Sequence, residues 1–266
     1  REVAIKLLAP KFSRDGAIRK RFLREAKTLC RLNHPNIVIV HGFGQSQNQD
    51  LYLVMELLAG TSLGDVLHAE GPLSAQRVVQ ILGQVCDGMQ YAHDAGLVHR
   101  DLKPDNIHIM SGAGATGEFA KVLDFGLAKQ AALGQGTALT RTGIMCGTPA
   151  YVSPEQAQSM AVTPAADVYS LGVMAYELLT GNIPFEDATP IAVLMAHMTM
   201  DPPAMAAINP DVTVSPRIEA AVRKALQKDP NNRPQSCAAF KALLLDALKP
   251  PIGGVAAFAT NPAIKV

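Results

Sequence analysis

Tryptophan is absent from this chain, cysteine occurs four times in 266 residues, and neither sign of charge dominates, with 24 Lys plus Arg against 23 Asp plus Glu. The balanced charge and the sparse cysteines each remove a class of protein. Without a basic surplus there is no broad field to hold a nucleic-acid backbone or an anionic bilayer, so no nucleic-acid partner and no membrane contact by this segment are expected. Cys30, Cys86, Cys146 and Cys237 stand singly, with no C-x-x-C pair. That spacing argues against a zinc site or a disulfide framework and fits a reducing cytoplasm. Long apolar runs are missing too: Leu243–Leu245 and Val255–Ala259 fall far short of the roughly 18 residues of a spanning helix, although a parent protein could be anchored elsewhere. Residue 1 is Arg and no basic-then-apolar leader follows, so a fragment of a longer chain is expected. No internal repeat is visible.

What is present is enough to build a large core, since 48% of residues are hydrophobic and a chain of this length makes one large domain or two small ones. Val3–Leu8 is a short apolar run interrupted by Lys6, which predicts a buried strand with one polar side chain. Ile18, Phe22, Ala26 and Leu29 recur at helical spacing and predict a helix over Ala17–Leu32. Ile37–Phe43 and Leu51–Glu56 read as strands joined by the polar Gln45–Asp50. After Gly60 the pattern turns helical: Val78, Ile81, Leu82, Val85, Met89 and Ala92 mark one buried face, stopped by Gly96. Leu97–Met110 and Phe119–Leu123 are strand-like runs around a Gly- and Ala-rich turn, Ser111–Gly117. Beyond Pro164, helices are predicted over Val168–Leu179, Pro190–Met200, Ile218–Leu226 and Ala238–Leu248, and a disordered tail from Pro250.

Three polar clusters interrupt these apolar runs: Lys6, then His99-Arg100-Asp101-Leu102-Lys103-Pro104-Asp105-Asn106, then Asp124-Phe125-Gly126. An ionised group inside an apolar segment must be paired or must bind something charged, because burying it alone costs several kcal/mol. Two acids, an amide oxygen and a lysine suit a metal-bound polyphosphate.

Together with Val3-Ala4-Ile5-Lys6, these runs resemble, in order, the signature set of the protein kinases. The resemblance extends from residue 1 to about residue 249 and implies an α+β, two-lobed fold. A partial β-rich lobe would occupy residues 1–56, a mainly helical lobe 57–249, and a tail or linker 250–266. It implies ATP with Mg2+, or Mn2+ in its place, and transfer of phosphate to Ser or Thr of protein substrates.

By that resemblance, Lys6 grips the α- and β-phosphates and Glu25 holds it by an ion pair, although an exposed helix glutamate solvated beside Arg21 and Arg24 is the plainer reading of Glu25. Asp101 is the catalytic base, where a turn aspartate capping a backbone amide is the alternative. Asn106 and Asp124 are the metal ligands. Lys103, within Asp-Leu-Lys-Pro, lies by the transferred phosphate and marks Ser/Thr specificity. Ala4, the gatekeeper Met55, the hinge Glu56–Leu58 and His108, which stands where the family usually has an apolar floor, line the adenine pocket. Arg100, with Lys129 and Arg21, reads a phosphorylated loop whose acceptors are Thr140 and Thr142, with Thr137 weaker; solvated loop threonines are the alternative. Gly147-Thr148-Pro149-Ala150-Tyr151-Val152-Ser153-Pro154-Glu155-Gln156 resembles the peptide-docking end of the activation segment. Glu155 would pair with Arg233, Asp167 would hold the catalytic-loop backbone, and Leu29, Val40, His99 and Phe125 would stack. The family also places two strands and a G-x-G-x-x-G loop before the Lys6 strand, where only Arg1 and Glu2 stand here, so weak or absent ATP binding is expected of a chain of this extent. A non-catalytic pseudokinase and a small-molecule phosphotransferase are the rival readings.

Overall fold

A computed structural model describes residues 2–8, 16–111, 117–125 and 149–250. Strands β1 (Val3–Leu7), β2 (Val40–Gln45) and β3 (Leu51–Glu56) form an antiparallel sheet in the order β1-β3-β2. Register pairs Lys6 with Leu53 and Ala4 with Met55. The β2–β3 hairpin closes over the polar segment expected to connect it, with Ser46 and Asp50 bonded across the turn. Helix α1 (Gly16–Leu29) packs on this sheet through Phe22, Ala26 and Leu29, the predicted stripe. It ends three residues earlier than the periodicity suggests.

The first strand corrects one expectation. β1 is an edge strand, and Ile5 and Leu7 are 62% and 65% exposed, so Lys6 does not sit in a buried segment. Apolar composition identifies a strand but not which of its faces is covered. Ile37 also lies outside β2 and forms an isolated parallel bridge to Val122.

The second sheet is small: β4 (Thr61–Ser62), β5 (Ile107–Ser111) and β6 (Glu118–Val122), antiparallel in that order. Gly60 precedes it at φ +124°, where a Cβ would stand 2.2 Å from the Ile109 carbonyl oxygen. Only glycine fits that approach. Of the predicted run Leu97–Met110, only the last residues form a strand, because the polar groups before them bond to the protein around them.

Helices make up the rest: α2 (Leu63–Glu70), α3 (Ala75–Asp94), α4 (Pro154–Ala157), α5 (Pro164–Thr180), α6 (Pro190–Thr199), α7 (Met205–Ile208), α8 (Pro216–Ala225) and α9 (Cys237–Leu248). Serines cap several N-termini by accepting a backbone N–H, as Ser74 does for α3 and Ser236 for α9. Helix α5 is apolar nearly all round and is buried nearly all round, which makes it the central post of the helical part. Gly172 lets α8 approach it, since a Cβ there would stand 2.9 Å from that of Ala225. One core runs through both parts, from Leu8 and Phe22 to Phe240 and Leu244. No described helix is long and apolar enough to cross a membrane.

Candidate active site

The three polar clusters converge where the sheets meet the helices. His99 organises them. It is fully buried, and burial pushes its pKa down, so the ring is neutral. The Asp101 backbone N–H donates to Nδ1 at 3.2 Å, which makes Nε2 the protonated nitrogen, and Nε2 donates to the Leu123 carbonyl at 2.8 Å. One imidazole thus ties the residue preceding Asp124 to the amide of Asp101. Its ring lies 4.8 Å from that of Phe125. Leu29, Val40 and Phe125 belong to the one buried hydrophobic cluster that runs through both parts of the chain.

Asn106 makes the second tie. Its Nδ2 donates to the Asp101 carbonyl at 2.7 Å, and its own carbonyl accepts from Leu123 N at 2.8 Å. Asp101, Asn106 and Asp124 therefore belong to one hydrogen-bonded unit. Arg100 and Asp124 both adopt left-handed backbone, at φ 65° and 51°. Non-glycine residues stay there only where their surroundings hold them. Arg100 is held at both ends: its N–H donates to Asp167 Oδ1 and its carbonyl accepts from Gln156 Nε2, each at 2.8 Å. Asp167 also accepts the His99 N–H at 2.8 Å and faces His93 Nε2 at 2.7 Å.

The lysine–glutamate pair is corrected. Lys6 Nζ lies 2.8 Å from Asp124 Oδ2, not beside Glu25. Glu25 falls on the same face of α1 as Phe22, Ala26 and Leu29, so the helix buries it rather than solvating it. Burial pushes its pKa up, opposed by the charges of Arg100, Arg24 and Arg21 in that order. Glu25 Oε2 and Arg100 Nε are both buried without a hydrogen-bond partner. The charges around this carboxylate are those of Arg100, Arg24 and Arg21, with the Arg24 guanidinium 3.9 Å from Oε1. Lys103 Nζ is also on a carboxylate, 3.0 Å from Asp105.

Ala4 and Met55 are register partners, and Met55 also pairs with Val40. Leu58 and His108 are partly buried, and His108 Nε2 has no hydrogen-bond partner. Glu56 does more than form a hinge: its Oε1 accepts from Ile39 N at 2.8 Å and from Lys121 Nζ at 2.7 Å. The sequence reading missed Lys121, yet the rule that singled out Lys6 would have found it, as a charge inside the apolar run Phe119–Leu123.

Among the docking residues, Pro149–Tyr151 forms a 3-10 turn. The Tyr151 hydroxyl donates to Glu177 Oε2 at 2.6 Å, and its carbonyl accepts from Ser170 at 2.7 Å. A cavity of about 620 Å3 opens beside it, between Pro104 and Asp105 of the catalytic loop and Glu177, another residue the sequence reading missed. Arg233 and Glu155 form a two-pronged pair, both bonds 2.8 Å, and the guanidinium also donates to the carbonyls of Gln227, Ala165 and Lys228. Gly126, Lys129, Thr137, Thr140, Thr142, Cys146, Gly147 and Thr148 lie outside the described residues.

Comparison with known proteins agrees with this geometry. Residues 1–244 match the protein kinase domain family. The serine/threonine-protein kinase pkn3 of Myxococcus xanthus is 43% identical over 243 residues, covering 91% of this chain and 44% of the relative. PknB of Mycolicibacterium smegmatis is 40% identical over 248 residues, covering 92% and 38%. The chain thus spans about two fifths of the length of these curated relatives. The crystal structure of the Mycobacterium tuberculosis PknI kinase domain superposes with a TM-score of 0.72 at 27% identity, over 92% of this chain and 85% of that one. Rad53 residues 1–466 in complex with AMP-PNP superpose with a TM-score of 0.70 at 30% identity, over 90% and 56%. The chain belongs to the protein kinase domain family, and its β-rich and helical parts are the two lobes of the protein-kinase fold.

Proposed function

We propose that this chain is the catalytic domain of a protein serine/threonine kinase, transferring the γ-phosphate of ATP to Ser and Thr hydroxyls of protein substrates. The observation that carries the reading is the joining of Asp101, Asn106 and Asp124 through His99 and the Asn106 side chain. A phosphoryl transfer asks little covalent chemistry of the protein and much positioning. Asp101 orients the acceptor hydroxyl and takes its proton as oxygen bonds to the γ-phosphorus and the bond to the β-phosphate oxygen breaks, leaving ADP. Such general-base help contributes on the order of 10²–10⁴ in rate.

Among the described residues no group of three or more His, Cys, Asp or Glu could hold a metal alone. One carboxylate and one amide oxygen fit an ion that takes its remaining ligands from phosphates and water. Asp124 and Asn106 would hold Mg2+, or Mn2+ in its place, which supplies neutralisation of the phosphate charge. Lys6 and Lys103 stand on neighbouring carboxylates, within the site, as the cations for the nucleotide tail and the moving phosphate. Support for a protein acceptor comes from the Pro149–Tyr151 turn beside the catalytic loop and from the relatives' names. Thr140 and Thr142 are proposed as autophosphorylation sites read by Arg100, and mass spectrometry finding neither modified in active protein refutes that part.

The test is transfer of labelled phosphate from ATP and Mg2+ to a protein acceptor. Asp101→Asn and Asp124→Ala should each abolish it while leaving the fold intact by circular dichroism. Equal transfer by parent and variants sinks the proposal, and no transfer by a folded, nucleotide-binding parent favours the pseudokinase reading.

A further inference from the structure

The loop that carries Asp101 lies, over residues 99–103, in neither helix nor strand. Its main-chain polar groups must therefore find partners elsewhere. The peptide between Arg100 and Asp101 has two. Its N–H, that of Asp101, donates to His99 Nδ1 at 3.2 Å, and its carbonyl, that of Arg100, accepts from Gln156 Nε2 at 2.8 Å. One end is thus held from within the loop, and the other by a residue 56 positions along the chain.

Gln156 belongs to α4, which follows the Pro149–Tyr151 turn by way of the capping residue Ser153, and it is 8% exposed. Its amide is engaged at both ends. Oε1 accepts from Ser153 N at 3.2 Å and from Ser153 Oγ at 3.0 Å, while Nε2 faces the Arg100 carbonyl. The reverse orientation would set N–H against N–H at Ser153 and carbonyl against carbonyl at Arg100, so the donor belongs on the Arg100 side. The capping box of α4 asks only for an acceptor here, and glutamate closes such a box as glutamine does. The N–H given to Arg100 is what glutamine adds, and the helix does not require it.

Arg100 stands at φ 65°, a conformation that a non-glycine residue keeps only where its surroundings hold it. Turning the Arg100–Asp101 peptide swings the Asp101 Cα–Cβ bond and the carboxylate with it. Reacting groups misplaced by about 1 Å lose on the order of 10²-fold in rate.

We propose that Gln156 is a positioning residue for phosphoryl transfer: its side-chain N–H, given to the Arg100 carbonyl, fixes the Arg100–Asp101 peptide and so aims the Asp101 carboxylate at the acceptor hydroxyl. The docking segment and the base are then joined by one strut. The catalytic meaning rests on the kinase reading, whereas the strut is read directly.

The test compares Gln156→Met and Gln156→Glu with the parent at about pH 8, where a glutamate carboxylate is ionised. Met keeps the length of the side chain without a donor. Glu keeps the acceptor for Ser153 and, as a carboxylate, also lacks a donor. Ser236→Ala, which removes the side-chain cap of α9, supplies a fold weakened by the loss of a cap alone. In both Gln156 variants kcat should fall roughly 10–100-fold, with KM for ATP and for the acceptor within about threefold of the parent. The Asp101 N–H should exchange roughly five- to tenfold faster in both, and Ser236→Ala should keep the parent kcat and the parent exchange rate. If Gln156→Met does not fold, Gln156→Glu decides alone. A kcat within about twofold of the parent in Gln156→Glu overturns the proposal, as does a loss carried by KM, an unchanged Asp101 exchange rate, or an equal loss in Ser236→Ala. If a folded, nucleotide-binding parent transfers no phosphate the kinase reading fails, and the Asp101 exchange rates then decide the strut by themselves.

Discussion

Replacing Arg233 by Met should be among the most damaging single changes outside the cleft. Its guanidinium is 0% exposed and satisfies both oxygens of Glu155, itself only 5% exposed, together with three backbone carbonyls. Met fills part of the volume but leaves a buried carboxylate without a counter-charge, a loss of about 3–5 kcal/mol for a broken buried pair. That is a large share of the roughly 5–15 kcal/mol that holds a domain folded, and at roughly 2–4 °C per kcal/mol for a domain of this size it lowers the melting temperature by about 6–20 °C. Urea unfolding and calorimetry measure it. Removing both charges, as Glu155→Met with Arg233→Met, should recover part of the loss, since the orphaned charge is gone. If Arg233→Met lies within about 1 kcal/mol of the parent, the buried-pair reasoning is wrong.

Lys121→Met should cost about 3–5 kcal/mol by stranding Glu56, and should weaken nucleotide binding more than acceptor binding, which separate titrations of the two ligands distinguish. Gly60→Ala should destabilise by more than about 1 kcal/mol, because φ +124° and the Ile109 carbonyl both reject a Cβ; urea midpoints report it. His197, fully buried, has its pKa pushed from the usual 6.5 down to about 4, by burial first and Lys228 second. The unfolded chain therefore binds a proton that the folded one refuses, so stability should fall as the pH drops from 6.5 towards 4, by roughly 3 kcal/mol from this group. His197→Gln should flatten that part of the urea midpoint against pH.

The sequence announced the catalytic loop because ionic groups inside apolar runs demand partners, and His99, Asp101, Asn106 and Asp124 all found theirs in one place. It announced α3 and α5 because long periodic or wholly apolar stretches have few alternatives. It did not reveal the pairing of Lys6 with Asp124, since a lysine on an exposed edge strand is long enough to reach several acids and spacing alone cannot choose among them. Glu25 was misjudged for a related reason: the helical stripe that buries Phe22, Ala26 and Leu29 sweeps the glutamate inward too, and composition favours a surface position. Short helices such as α2 and α7 carry too few turns to leave a periodic trace. The Gln156–Arg100 contact joins residues 56 positions apart, which no local pattern can foretell.

The lodging of Lys6 on Asp124 has a consequence for how nucleotide enters. Any polyphosphate that takes the lysine must first displace an aspartate, and an ion that takes the aspartate must first displace a lysine, so each arrival frees the seat of the other. Nucleotide and divalent ion should thus load together rather than in sequence, with each raising the apparent affinity for its companion.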